Sequence, residues 1–255
     1  MTHLMEFVMC AVLISTQSDS VSEWASLTVK IEQAYLNEDV PALRSHRAEL
    51  LRMLAGNPPA NQAPLVRYAI AYVDWRMVFL PSVADNEKDG LLDEAEAQLQ
   101  SAIKANANFA EAHALLGSVW GGKIAQSALR GILLGPRIGS TMGRAQSLEP
   151  NNPRVVVQDG IGAYHTPGMF GGGVDKAERI IRQAIALFDK EPVDKAWPNW
   201  GRFDAHVWLA QILVKKGNFV EARAEYQRAL ALSPKSGWIT YMLLPELEKA
   251  AKGKP

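Results

Sequence analysis

Apolar residues along this chain recur three and four positions apart and almost never alternate. One face of a helix returns every 3.6 residues, so this spacing predicts a succession of amphipathic helices. "SEWASLTVKIEQAYL" and "VPALRSHRAELLRML" predict a first helix pair, and "APLVRYAIAYVDWRMVFL" with "GLLDEAEAQLQSAIK" a second. "DKAERIIRQAIALF" continues the series, and "SGWITYMLLPELEKAAKGK" reads as a terminal capping helix with a lysine-rich end. The short β-branched run "RVVVQ" keeps the helical register and is read as helix. The count comes to about ten or eleven helices in antiparallel pairs.

The pairs repeat. In "FDAHVWLAQILVKKGNFVEARAEYQRALALSP", residues 203–234, Leu209, Ala210 and Leu213 share one face of a first helix. Gly217 and Asn218 end that helix; Ala222, Tyr226 and Ala229 share a face of the second, and Pro234 closes the unit. Small residues let the two helices approach, and large ones fill the space between them. This stretch resembles a tetratricopeptide repeat (TPR). Fainter copies place Ala95, Leu99 and Ala102, then Leu116, Gly117 and Trp120, then Ala145 with Pro150, then Ala177, Ile181 and Ala184 at matching positions. The expected fold is all-α: an α-solenoid of antiparallel TPR-like helix pairs with a C-terminal capping helix.

A narrower resemblance covers roughly residues 90–235. Asn152, Pro153 and Arg154, then Thr166, Pro167, Phe170, Gly171, Gly172, Gly173, Lys176 and Ala177, then Pro198, Asn199, Trp200 and Gly201 are similar to elements of a group of bacterial exported TPR proteins. The resemblance implies the fold and export, and no chemistry. The chain departs from the group at its start. "LMEFVMCAVLIS", Leu4–Ser15, has the length of a signal-peptide core, yet Glu6 interrupts it and no lysine or arginine precedes it. Residues 1–20 are therefore a leader or the start of an ordinary first helix, with 21–255 as one repeat domain. The expected location is periplasmic or exported, with cytoplasmic as the alternative.

Composition narrows the function. Of 255 residues, 48% are hydrophobic and 21% charged, which suits a packed fold. Lysine plus arginine equals aspartate plus glutamate at 27 each, so no basic field favours nucleic acid. Cys10 is the lone cysteine, which leaves no internal disulfide to stabilise the fold. The N-terminal apolar run is shorter than the ~20 residues of a membrane-spanning helix.

Candidate chemistry is sparse. Gly171-Gly172-Gly173 lacks the strand, the spacing and the Ser/Thr of a phosphate-binding loop. It reads as a hinge between two helices, with Phe170 as a plug between repeats and His165 and Trp200 as further ligand candidates. None of the five histidines pairs with another at helical spacing, and no nucleophile sits beside a base, so neither metal, cofactor nor catalysis is expected. From Ala112 to Leu148 the chain has no acidic residue, and Lys123, Arg130, Arg137 and Arg144 follow at intervals of seven. Gly131, Gly135, Pro136 and Gly139 are expected to break any single helix there. The stretch is either an inserted, extended helix or a basic, partly apolar surface for an acidic partner, with membrane association left open. The expected function is a non-catalytic scaffold that binds a protein or peptide in its concave groove, with Arg154 reaching into it. The alternative is a small-molecule-binding or transporter-associated subunit with a pocket lined by His165, Phe170 and tryptophans.

Overall fold

The computed structural model describes residues 24–192, 195 and 197–253. Residues 1–20, read above as a leader or the start of a first helix, lie outside them together with Cys10. A first helix, α1, covers 24–36. It is followed by α2 (Val40–Ala55), α3 (Ala63–Val78), α4 (Asp85–Ala105), α5 (Ala110–Gln126), α6 (Gly131–Leu148), α7 (Pro153–His165), α8 (Val174–Phe188), α9 (Arg202–Lys216), α10 (Phe219–Leu232) and α11 (Leu244–Lys252). The described residues contain no strand. Residues 155–157 lie inside α7, as their register predicted.

Four two-helix units stack in order. α3 packs on α4, α5 on α6, α7 on α8 and α9 on α10, and each second helix also touches the first helix of the next unit. First helices touch one another, α3 to α5, α5 to α7 and α7 to α9, so they form an inner row with the second helices outside. Burial follows this plan. α8 buries a single stripe, Ala177, Ile181, Ala184 and Phe188, whereas α3 is buried without a break from Tyr68 to Val78. The small positions of the 203–234 repeat behave as expected, with Ala222 and Ala229 fully buried beside Tyr226. Each such alanine lets two helix axes approach where a larger side chain would hold them apart.

α6 corrects the sequence reading. Gly131, Gly135, Pro136 and Gly139 all lie within one helix that runs to Leu148. Thr141, Met142 and Ala145 are buried at its C-terminal half, and an added Cβ at Gly117 of α5 would meet Thr141 at 3.4 Å. Packing on α5 thus holds the segment helical against its own propensity, while Gly135 and Gly139 face solvent.

The apolar interior falls into two large clusters. One gathers α1 to α5 together with Trp197 and Trp200. The other gathers α7 to α11. Tyr35 of α1 packs against both. After α10 the chain makes a wide helical turn, Trp238–Leu243, before α11, and Ile239, Leu243 and Leu247 close the second cluster.

Candidate functional site

Where α3 and α9 face each other, on the inner side of the helix stack, the space is packed with charged and aromatic side chains. Arg76 of α3 donates from Nη1 to Asp204 Oδ1 at 2.8 Å and from Nη2 to Oδ2 at 2.5 Å. Its guanidinium lies over the rings of Tyr35 (3.9 Å), Trp75 (4.6 Å), Tyr72 (4.9 Å) and Trp200 (5.1 Å). The Tyr35 hydroxyl donates to Asp204 at 3.3 Å, and the Tyr72 hydroxyl donates to Glu32 at 2.5 Å. Burial pushes the Glu32 carboxyl above its ordinary range, partly opposed by Arg76. Trp200 is buried and its indole N–H donates to Tyr68 at 3.1 Å. An inner face that tight is explained by the need to pair every charge it buries.

Arg154 belongs to this interior and does not reach an open groove. Its side chain is 1% exposed. It pairs with Glu191, donates to the Trp200 carbonyl at 3.1 Å and approaches Glu111 at 3.9 Å. Arg154 thereby ties α7 to the segment that carries Trp200 into the core.

The triple glycine is a tied turn. α7 ends at His165, Pro167 follows, and a short turn, Gly168–Phe170, leads into Gly171. The N–H groups of Gly171, Gly172 and Gly173 donate to the carbonyls of Gly168, Pro167 and Ala163 at 3.0, 3.2 and 2.8 Å. With all three donors committed, the glycines themselves offer none to a phosphate. Gly171 needs its positive φ of 83°. Gly172 has another reason: a Cβ there would lie 2.1 Å from the Thr166 carbonyl oxygen. Phe170 was expected to plug a gap between repeats, but it is 72% exposed. The bond from Gly173 to α7 and that from Lys176 Nζ to the Gly171 carbonyl, 2.8 Å, fasten the loop without it.

The four basic residues of the acid-free stretch have different fates. Lys123 lies between α5 and α4, paired with Asp93 at 2.7 Å and with Glu96. Arg130 makes a two-pronged contact with Asp89 at 2.8 and 3.0 Å. Arg144 donates to Asn108 at 3.0 Å. Arg137 is exposed. Near it in the chain, Leu129, Ile132 and Leu133 are 80%, 78% and 74% exposed. Along the same helix nothing lies within 4 Å of a Cβ built on Gly135, Gly139 or Gly143.

His165 stacks edge-on with Tyr164 and Trp208 at 5.2 and 5.1 Å; burial, and secondarily Lys215, hold its pKa below the usual value. His206 pairs with Glu225 at 2.7 Å inside the last repeat. Among the described residues no three His, Cys, Asp or Glu side chains gather as a metal site, and no helix is long and apolar enough to cross a membrane. Shallow depressions lie on the surface of the described residues. One lies between α10 and α11, lined by Arg223, Leu244 and Glu248; another, at the start of α7, is lined by Glu149, Asn152, Glu191 and Lys195. These two are not lined by His165, Phe170 or a tryptophan.

Arg76, Asp204, Glu32 and Tyr35 were not singled out from the sequence. A signal was present in "YVDWRMV", where Asp74 and Arg76 interrupt a helix that is apolar on every side. Charges so placed require buried partners.

Residues 203–236 match the family model of the tetratricopeptide repeat. Among solved structures the chain is similar to TTC0263, a thermophilic TPR protein of Thermus thermophilus, at 21% identity and a TM-score of 0.56, over 82% of this chain and 91% of that one. It is also similar to the HusA haemophore of Porphyromonas gingivalis, at 23% identity and a TM-score of 0.54, over 71% of this chain and 92% of that one. No curated protein sequence matches it. The fold is an all-α solenoid of TPR-like helix pairs, and residues 203–236 form one tetratricopeptide repeat of full signature within it.

Proposed function

We propose that this chain is a non-catalytic protein-interaction scaffold whose partner docks on the outer face of α6. TPR folds generally serve protein interaction, and a stacked array offers a long surface on which to do so. The observation that carries the reading is the cluster Leu129, Ile132 and Leu133, each at least 74% exposed, beside the exposed Arg137 on a stretch with no acidic residue. Grouped apolar exposure with a polar rim is the usual mark of a protein-binding patch. The bare glycine backbone beside it admits a partner at close range. An acidic partner suits the charge, through Arg137 at the patch and Arg144 farther along the helix. Lys123 and Arg130 serve the fold through their carboxylates and Arg154 through the interior, so they lie outside the proposed surface.

A small-molecule role, as in the haemophore, has less support. Trp197 and Trp200 are packed in the interior, and Phe170 lies with Met169 in an exposed surface turn. Export remains part of the proposal, supported by the Leu4–Ser15 run and the resemblance to exported TPR proteins; N-terminal sequencing of the native protein tests it.

Site-specific photo-cross-linking tests the docking surface. A benzophenone at position 133 is expected to cross-link a partner in native extract, and one at the exposed Gln227 of α10 is not. Cross-links from position 227 alone overturn the assignment to α6.

A further inference from the structure

α1 sits in this molecule as a bound helix sits in a groove. Leu27, Ile31 and Ala34 are buried against the first cluster, while Ala25, Ser26, Val29, Lys30 and Gln33 of the same helix face solvent. Its contacts reach elements far along the chain. Tyr35 donates to Asp204, 169 residues away. Ser233 Oγ donates to the Leu36 carbonyl at 2.6 Å, and Glu38 accepts from the Trp238 N–H at 2.9 Å and from Ser236 Oγ at 3.1 Å. α1 therefore covers the inner face that α3 and α9 build and latches onto the last repeat.

Two features distinguish it from an ordinary core helix. Its link to α2 passes through Glu38 at φ 57°, a left-handed conformation that a non-glycine residue holds only under constraint. The surface beside Trp24 and Tyr35 is imperfectly satisfied: among the described residues Arg76 Nε and Trp197 Nε1 are buried donors without an acceptor, as is Trp75 Nε1 next to Arg76 on α3. Arg76, Trp75 and Trp197 are each at least nine-tenths buried, so these orphaned N–H groups carry the full penalty of lost hydration. The closed arrangement thus retains unmet hydrogen-bonding demand on the face that α1 covers.

We propose that the inner face is a groove for an amphipathic helix, and that α1 is its resident occupant, exchangeable with a helix from another protein. That helix carries apolar residues at i, i+4 and i+8, in the pattern of Leu27, Ile31 and Tyr35, and a carboxylate beside the second, in the place of Glu32. Glu38 is the hinge, and its strain is released when α1 swings out. Acceptors on the incoming helix meet the donors that α1 leaves unpaired. This inference stands apart from docking on α6, which uses other residues.

Hydrogen exchange on the full wild-type chain tests the opening. Amides of residues 27–36 are expected to exchange at least about tenfold faster than those in the middle of α3 and α9, because α1 leaves without global unfolding. Exchange is complemented by a dye-labelled peptide of residues 24–38, added to the full chain. It is expected to bind an Ile31→Ala chain about tenfold or more tightly than wild type, since apparent affinity scales with the fraction of open groove. The same peptide carrying Ile31→Asp is expected not to bind. If Ile31→Ala fails to fold, Ser233→Ala, which loses only the latch to Leu36, replaces it. Equal protection of α1, α3 and α9, or a folded variant that binds the peptide no better than wild type, overturns the proposal.

Discussion

Arg76 and Asp204 are 128 residues apart and face each other in a two-pronged ion pair, both side chains almost wholly buried. The pair joins the first helix of the first full unit to the first helix of the last. Breaking such a pair from one side strands the other charge in a dry interior, a loss of about 3–5 kcal/mol, whereas replacing both partners with apolar groups is often neutral. Arg76→Met is therefore expected to lower the urea midpoint sharply. Arg76→Met combined with Asp204→Leu is expected to recover most of the loss, measured by equilibrium unfolding of all three chains.

The glycines of the α7–α8 turn separate two kinds of constraint. Gly171→Ala meets an unfavourable φ but open space, so the expected loss is about 1–2 kcal/mol. Gly172 has no positive φ, yet its Cβ would collide with the backbone oxygens of Thr166 and Ala163 at 2.1 and 2.7 Å. Neither oxygen yields without moving the end of α7. Gly172→Ala is thus expected to lower the thermal midpoint more than Gly171→Ala, the reverse of a ranking by φ alone.

Asp74 of α3 makes stability depend on pH. Its carboxyl is buried and pairs with Arg47 Nε at 2.5 Å. Burial outweighs the attraction of Arg47 and raises its pKa from 3.8 to about 6. Between those values the folded chain holds a proton that the unfolded chain releases. The contribution of Asp74 is then fully present below about pH 4 and is lost as pH rises through about 6. Asp74→Asn removes this dependence. Relative to wild type, the variant is expected to gain roughly 1–3 kcal/mol between pH 4 and pH 7, read from urea unfolding at each pH.

The repeat itself was legible because its information is local. Ala222, Tyr226 and Ala229 lie three and four residues apart, and their burial follows from helical period alone. α6 was misread because local propensity lost to packing: Thr141, Met142 and Ala145 on α5 keep helical a segment that its glycines and Pro136 disfavour. The inner face was illegible for a different reason. Whether Asp204 meets Arg76 depends on small rotations accumulated over four repeats, which no spacing in the chain records. The charges within "YVDWRMV" announced that partners were needed and left their identity open.

The arginines of α6 distinguish fold from docking. Arg137 is exposed on the same helix as Ile132 and Leu133, whereas Lys123 is held between Asp93 and Glu96 with its side chain 12% exposed. Exposed charges contribute within about ±0.5 kcal/mol to stability, so Arg137→Glu is expected to leave the unfolding midpoint unchanged. Lys123→Glu places a third carboxylate beside two others and is expected to destabilise the α4–α5 contact. For binding the order reverses if α6 is the docking face. Affinity for the cross-linked partner is expected to fall in Arg137→Glu and in Ile132→Glu. The loss from Arg137→Glu is expected to shrink as salt rises, because charges farther apart than about 8 Å are screened at physiological ionic strength. The loss from Ile132→Glu contains the removal of an apolar contact and is expected to persist at high salt. Titrations of both variants at low and high salt separate the two contributions, and an Arg137→Glu chain that binds like wild type at both salts removes the basic residues from the docking surface.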